Sequence, residues 1–177
     1  MEDNLVATKR QRSAKNELDS ARGIAQWAVV YQAYNAVFKV AELTLLPQHL
    51  TLPQFHLLAV LKKGGGILTT GEIGQAMVKA SQTITGLVDR LEEPGLVERV
   101  FDRRDRRKTW VRLTEEGERR LAEASPVAID LAGELSSILT DEELQDLQAK
   151  MEKLRRAAMD KLAPLLARQQ PGARLGF

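Results

Sequence analysis

Along most of the chain apolar residues return at every third or fourth position, the spacing of one helix face. Between Leu96 and Leu113 that period gives way to β-branched and aromatic residues in alternation. From Ala21 to about Leu46, the positions Ile24, Trp27, Ala28, Tyr31, Tyr34, Val37, Phe38, Ala41 and Leu45 predict a long helix, which Pro47 ends. A second helix opens at Thr51, whose hydroxyl caps it, with Pro53 tolerated in the first turn and Phe55, Leu58 and Leu61 facing inward. Gly64-Gly65-Gly66 closes it. Thr69 and Glu72 have the spacing of a capping box and start a short third helix carrying Ile73, Ala76 and Met77. After the turn Lys79-Ala80, Ser81 reads as the N-cap of a fourth helix. Its Ile84, Leu87, Val88 and Leu91 form an apolar side and leave Gln82, Thr83, Gly86 and Arg90 on a polar one. Pro94 and a left-handed Gly95 stop that helix near Glu92.

Two short helices joined by a tight connection, the second presenting a polar N-terminal face, make a helix-turn-helix. The segment beyond Gly95 abandons helical spacing. Leu96 to Phe101 and Thr109 to Leu113 have the character of two strands, joined by Asp102-Arg103-Arg104-Asp105-Arg106-Arg107-Lys108. That turn is too charged to bury and forms the tip of a wing. From Arg99 to Arg112 there are seven basic residues against two acids, in a chain whose net charge is only +2. A polyanion is the natural partner of so concentrated a charge, because neutralising phosphates releases counterions. An isolated charge run is more often a solvated hairpin tip. Adjacency to a helix with a short polar face favours DNA.

Downstream, Thr114 with Glu115 and Glu116 starts a helix striped by Leu121, Ala124, Ala128, Leu131, Leu135 and Ile138, with Pro126 as a site for a kink. Thr140 and Glu143 form a second capping box. The last helix carries Leu144, Leu147, Met151, Leu154, Ala158, Leu162 and Leu165 at the spacing of a helix-helix interface. From Leu113 to Asp160 there are twelve acids and six bases, so phosphate would repel this half, which suits it to joining subunits. A second copy of the chain is the simplest partner for such long one-sided helices.

The expected organisation is mainly α with a small β-wing. Residues 1–18 are a frayed or weakly helical arm and 19–50 an N-terminal dimerisation helix. Residues 51–113 are a winged helix-turn-helix core, 114–166 C-terminal dimerisation helices and 167–177 a loose tail. No apolar run approaches a membrane span and the first residues lack a secretory pattern, which points to the cytoplasm. With no cysteine, disulfides, thiol redox sensing and cysteine-ligated metal sites are excluded.

Enzymatic chemistry lacks its parts: no paired nucleophile and base, metal set or cofactor loop stands out, and no cofactor is expected. The triple glycine does not follow a strand and lacks the Lys-Ser/Thr pair of a phosphate loop. His49 and His56, seven apart without a convergent acid, make a poor metal pair. The aromatic stripe of the first helix suits a core or dimer interface, and in part the lining of a ligand cavity.

The order of elements resembles the MarR family of bacterial transcriptional regulators. The resemblance is carried by Leu52-Pro53-Gln54-Phe55, by Leu91-Glu92-Glu93-Pro94-Gly95-Leu96-Val97-Glu98-Arg99, and by Asp105-Arg106-Arg107 with Val111-Arg112-Leu113-Thr114-Glu115-Glu116-Gly117 after it; it covers roughly residues 21–165. It implies a homodimer that binds double-stranded DNA at a palindromic operator, usually represses, and is released by a small aromatic or anionic ligand. On that pattern Ser81, Gln82, Thr83 and Thr85 meet bases and phosphates in the major groove. Arg107 enters the minor groove and Asp105 orients the wing. Arg103, Arg104, Arg106 and Lys108 add cationic contacts, and the ligand crevice draws on Trp27, Tyr31, Tyr34, Phe38, Phe55 and His56. Narrow minor grooves attract Arg and Gln pairs with adenine, which supports these roles on physical grounds. The chain departs from the pattern at Gly86, where many relatives carry an arginine whose contact is either absent here or taken over by Arg90, and at Arg103, where a proline is frequent. The rival reading is a winged helix used for DNA architecture or protein contacts without an effector.

Overall fold

The computed structural model describes residues 2–101 and 108–169, with side chains for residues 22–100 and 108–165. The chain divides into two units, Met1–Leu43 and Thr44–Phe177. The first is the long run of helix α1, Glu2–Leu45. It begins well before the apolar period does, so the expected arm is part of this helix. Residues 2–20 contain neither Gly nor Pro and are rich in Ala, Leu, Glu, Lys and Arg, so intrinsic propensity extends the helix where no hydrophobic pattern announces it. Along α1, Ile24, Trp27, Tyr31 and Tyr34 are exposed, and the rings of Tyr34 and Phe38 meet at 5.8 Å between centroids.

The second unit opens with a 3-10 turn, Leu46–Gln48, and then α2, Leu52–Lys63. Thr51 caps α2 as expected, and Gln54 completes a capping box by accepting the Thr51 amide at 2.9 Å. A strand with no counterpart among the sequence expectations comes next, β1, Ile67–Thr69. Helix α3, Thr70–Met77, begins at the Thr69 and Glu72 capping box, and α4, Ser81–Glu92, comes after it. Strands β2, Val97–Phe101, and β3, Thr109–Leu113, pair antiparallel, with Val97 opposite Leu113 and Phe101 opposite Thr109. β1 pairs antiparallel on the other side of β3, giving the order β1-β3-β2. Three residues between a glycine turn and a cap are too short to show a period of two, which is why β1 is silent in the sequence.

Helices α5, Glu115–Ser136, and α6, Asp141–Gln169, complete the chain. α5 continues through Pro126 as one helix, and α6 runs through Pro164 and past Ala167, where a loose tail is expected from sequence. The core gathers Leu57, Leu58 and Leu61 of α2, Ile73 of α3, Ile84, Val88 and Leu91 of α4, and Val97 and Val111 of the sheet, none more than 1% exposed. Each such side chain contributes about 2 kcal/mol through burial. Thr114 joins α5 to this core: its hydroxyl accepts the Gly117 amide at 3.0 Å and donates to the Gly95 carbonyl at 2.7 Å. Gly117 is required there, since a Cβ on it would stand 2.0 Å from the Leu96 carbonyl oxygen.

Candidate nucleic-acid interface

The turn between α3 and α4 is set by Val78, which ends α3 in the left-handed region at φ 52°, while the Lys79 amide donates to the Gly74 carbonyl at 2.9 Å. A β-branched residue rarely adopts that conformation, so the turn holds local strain. Ala80, extended at φ −65° and ψ 147°, takes the N-cap position of α4. This corrects the assignment of Ser81, which is the first helical residue. The left-handed Val78 leaves Lys79 and Ala80 to complete the turn, and Ala80 offers no side-chain cap. The Ser81 hydroxyl is therefore not spent on capping, and the residue is exposed at the helix N-terminus, where the backbone favours an anion.

The burial of α4 is one-sided. Ile84, Leu87, Val88 and Leu91 are buried, while Ser81, Gln82, Thr83 and Thr85 are exposed. Thr85 donates its hydroxyl hydrogen to the Ser81 carbonyl at 3.1 Å, which leaves its oxygen lone pairs outward. By helical geometry Gln82, Gly86 and Asp89 lie opposite the buried stripe. Arg90 lies on one flank and lines an open cleft of about 450 Å³ together with His49, Gln54, Glu93 and Arg120, over Leu50, Pro94 and Leu96.

The other flank of α4 carries a network absent from the sequence expectations. Arg99 Nη2 donates to Asp89 Oδ1 at 2.6 Å and to the Thr85 carbonyl at 3.4 Å, Arg99 Nη1 pairs with Glu92 Oε2, and the Arg99 amide donates to Glu92 Oε1 at 3.0 Å. Burial alone would lower the pKa of this guanidinium, but Asp89 and Glu92 outweigh it and hold the group further toward the charged form. Arg112 of β3 is paired as well, with Glu98 across the strands at 2.8 Å. Two of the seven cations counted toward the wing are thus neutralised by neighbouring acids. The signal was present: Thr85, Asp89 and Glu92 recur at helical spacing, running from one flank onto the outer side, with Arg99 at strand register just beyond.

Lys108 is exposed at the foot of the wing, and its charge is one of the smaller influences that lower the Glu72 pKa, after the backbone and side-chain hydrogen bonds from Thr69. Arg103, Arg104, Asp105, Arg106 and Arg107 lie outside the described residues. Of the expected ligand-crevice residues, Trp27, Tyr31 and Tyr34 are exposed and Phe38 half-buried on α1. Phe55 packs against the core of the second unit. His56, on α2, is exposed to solvent on one side, and its pKa is lowered by partial burial and then by Lys79. Among the described residues no cluster of three or more His, Asp or Glu is placed to hold a metal ion, and no helix is long and apolar enough to cross a membrane.

A three-stranded sheet, a helix-turn-helix and a wing built on one core define a winged helix-turn-helix protein. The MarR family's sequence model matches residues 50–108. Over 120 residues the chain is 35% identical to the uncharacterized HTH-type transcriptional regulator YsmB of Bacillus subtilis (strain 168), covering 67% of this chain and 82% of the relative. It is 33% identical over 111 residues to the HTH-type transcriptional repressor MdtR of the same strain, covering 63% of this chain and 71% of MdtR. In fold it is similar to BpsR of Bordetella bronchiseptica, whose solved structure concerns regulation of its DNA binding by 6-hydroxynicotinic acid. The TM-score is 0.67 at 24% identity, covering 72% of this chain and 96% of that one. The chain belongs to the MarR family of DNA-binding transcriptional regulators.

Proposed function

We propose that the protein is a homodimeric, non-enzymatic cytoplasmic repressor that binds a palindromic operator and is released by a small aromatic or anionic ligand. The observation that carries the DNA-binding part is α4: a fully buried apolar stripe backs an exposed polar N-terminal face of Ser81, Gln82, Thr83 and Thr85, beside a cationic wing. Gln82 and the hydroxyl residues read the major groove. Arg103, Arg104, Arg106, Arg107 and Lys108 supply phosphate and minor-groove contacts, with Asp105 orienting the tip and Arg90 at the flank of the reading helix. The exposed apolar residues Ile129 of α5, Ile138 in the turn after it, and Leu147, Met151, Leu154 and Leu165 of α6 support a partner copy. Two reading helices then face half-sites roughly 34 Å apart. The exposed aromatic stripe of α1, Trp27, Tyr31 and Tyr34, supports an aromatic effector there.

The test is binding to the DNA upstream of the protein's own and neighbouring genes, against random duplex, at two salt concentrations, with Arg107→Ala alongside. Selective, salt-sensitive binding that collapses in the variant is expected. Equal and weak binding to every duplex by both proteins would refute operator recognition and favour an architectural or protein-contact role. Thermal shifts with a panel of aromatic acids test the effector, and absence of any stabilisation counts against it.

A further inference from the structure

Arg99 belongs by sequence to the basic wing, yet its guanidinium is committed to α4. The side chain is 18% exposed, whereas its partner Asp89 is 60% exposed. Asp89 stands on the outer side of the reading helix, roughly opposite the buried stripe, so a carboxylate there faces whatever the helix docks against. If that is DNA, an uncompensated negative charge beside phosphate opposes docking. Arg99 reaches this carboxylate at 2.6 Å and also grips Glu92 and the Thr85 carbonyl, so one side chain spans the helix from Thr85 to Glu92.

We propose that Arg99 is a positioning residue for DNA recognition: shared between Asp89 and Glu92, it offsets the charge of Asp89 on the outer face of the reading helix and fixes strand β2 to that helix, and it does not itself bind phosphate. The inference rests on the DNA-binding reading above. Asp89 is 60% exposed, so water still solvates its carboxylate when the partner is removed from the free protein, and the pair's larger effect falls on docking. The cationic contacts of the wing then come from Arg103 to Lys108, not from its base.

Operator affinity over a salt series for Arg99→Gln, Asp89→Asn and the double variant tests this, with thermal unfolding recorded for each. Arg99→Gln is expected to weaken binding by about tenfold or more through the exposed carboxylate. Asp89→Asn in the same chain is expected to recover most of that loss, with a salt slope equal to wild type. Arg99→Lys, which keeps the charge, is expected to lose less than Arg99→Gln and guards against a folding defect. A double variant that stays as weak as Arg99→Gln overturns the proposal. So does a double variant whose salt slope falls by about one per subunit, which marks a lost phosphate contact. A wild-type protein that binds no duplex would overturn the DNA-binding reading first, and is told apart from failure among the variants.

Discussion

Helices α4 and α6 carry apolar residues at the same spacing and end in opposite states. In α4 the stripe of Ile84, Leu87, Val88 and Leu91 is at most 4% exposed, whereas in α6 Leu147, Met151 and Leu154 are between 37% and 43% exposed. Periodicity therefore reports that a face is apolar, but not whether the chain itself covers it. The neighbours of α4 are short elements of its own unit, brought close by three tight turns, and they cover it within the chain. The stripe of α6 runs on beyond the reach of so small a core. An apolar surface of that kind on a single chain points to a partner.

The largest effect that sharpens this contrast is a matched pair of truncations. Leu91→Ala should cost roughly 3 kcal/mol, from lost burial and the cavity left behind, at every protein concentration. Leu154→Ala should cost less than about 1 kcal/mol in the isolated chain, since much of its transfer energy is not realised there. It should instead weaken self-association. Urea unfolding at two protein concentrations, with sedimentation alongside, separates the two. A loss for Leu154→Ala as large as that for Leu91→Ala, and independent of concentration, would break the comparison.

The next effect lies where the buried and exposed regions join. Gly117 sits in the first turn of α5, and a methyl group there would stand 2.0 Å from the Leu96 carbonyl oxygen, which backbone cannot yield cheaply. Gly117→Ala should destabilise by about 2 kcal/mol or more and loosen the junction of α5 with the wing. A neutral result would mean that α5 is not seated on the core as closely as the geometry requires. Amide exchange at Leu96 and Thr114, which pair through the Thr114 amide at 3.2 Å, reads the loosening directly.

Most of the reading core was legible because local chemistry and global packing agree there. Thr51, Thr69, Thr114 and Thr140 all accept amide hydrogens at helix starts, and Gly95 takes φ 74° where the sequence requires a left-handed stop. The misses have physical causes. Ser81 is a good capping residue, but the strained left-handed Val78 fixes the turn so that Ala80 occupies the cap. Strand β1 owes its pairing to β3, more than forty residues away, and three residues carry no period. The start of α1 has propensity without pattern. At the candidate site, the polar face of α4 was visible from spacing alone. The role of Arg99 was hidden because a count of charges does not say which are already paired.

The smallest effect concerns a place in the reading core where like charge sits beside a titrating group. Partial burial, and then the nearby Lys79 ammonium, lower the pKa of His56 from its ordinary 6.5. The folded state therefore resists protonation that the unfolded chain accepts. Between the folded value and 6.5 the unfolded state binds more protons, so stability rises with pH in that window. It is fully present above 6.5 and is lost as pH falls toward the folded value. His56→Gln should flatten this slope, and Lys79→Met should reduce it in part, since the charge repulsion is the lesser of its two causes. Because the imidazole is partly solvated, both changes should fall well below that of Gly117→Ala. Thermal unfolding of the three proteins from about pH 5 to pH 8 measures it. Identical slopes for wild type and His56→Gln would show that the imidazole is neither partly buried on α2 nor close to Lys79 as the fold requires.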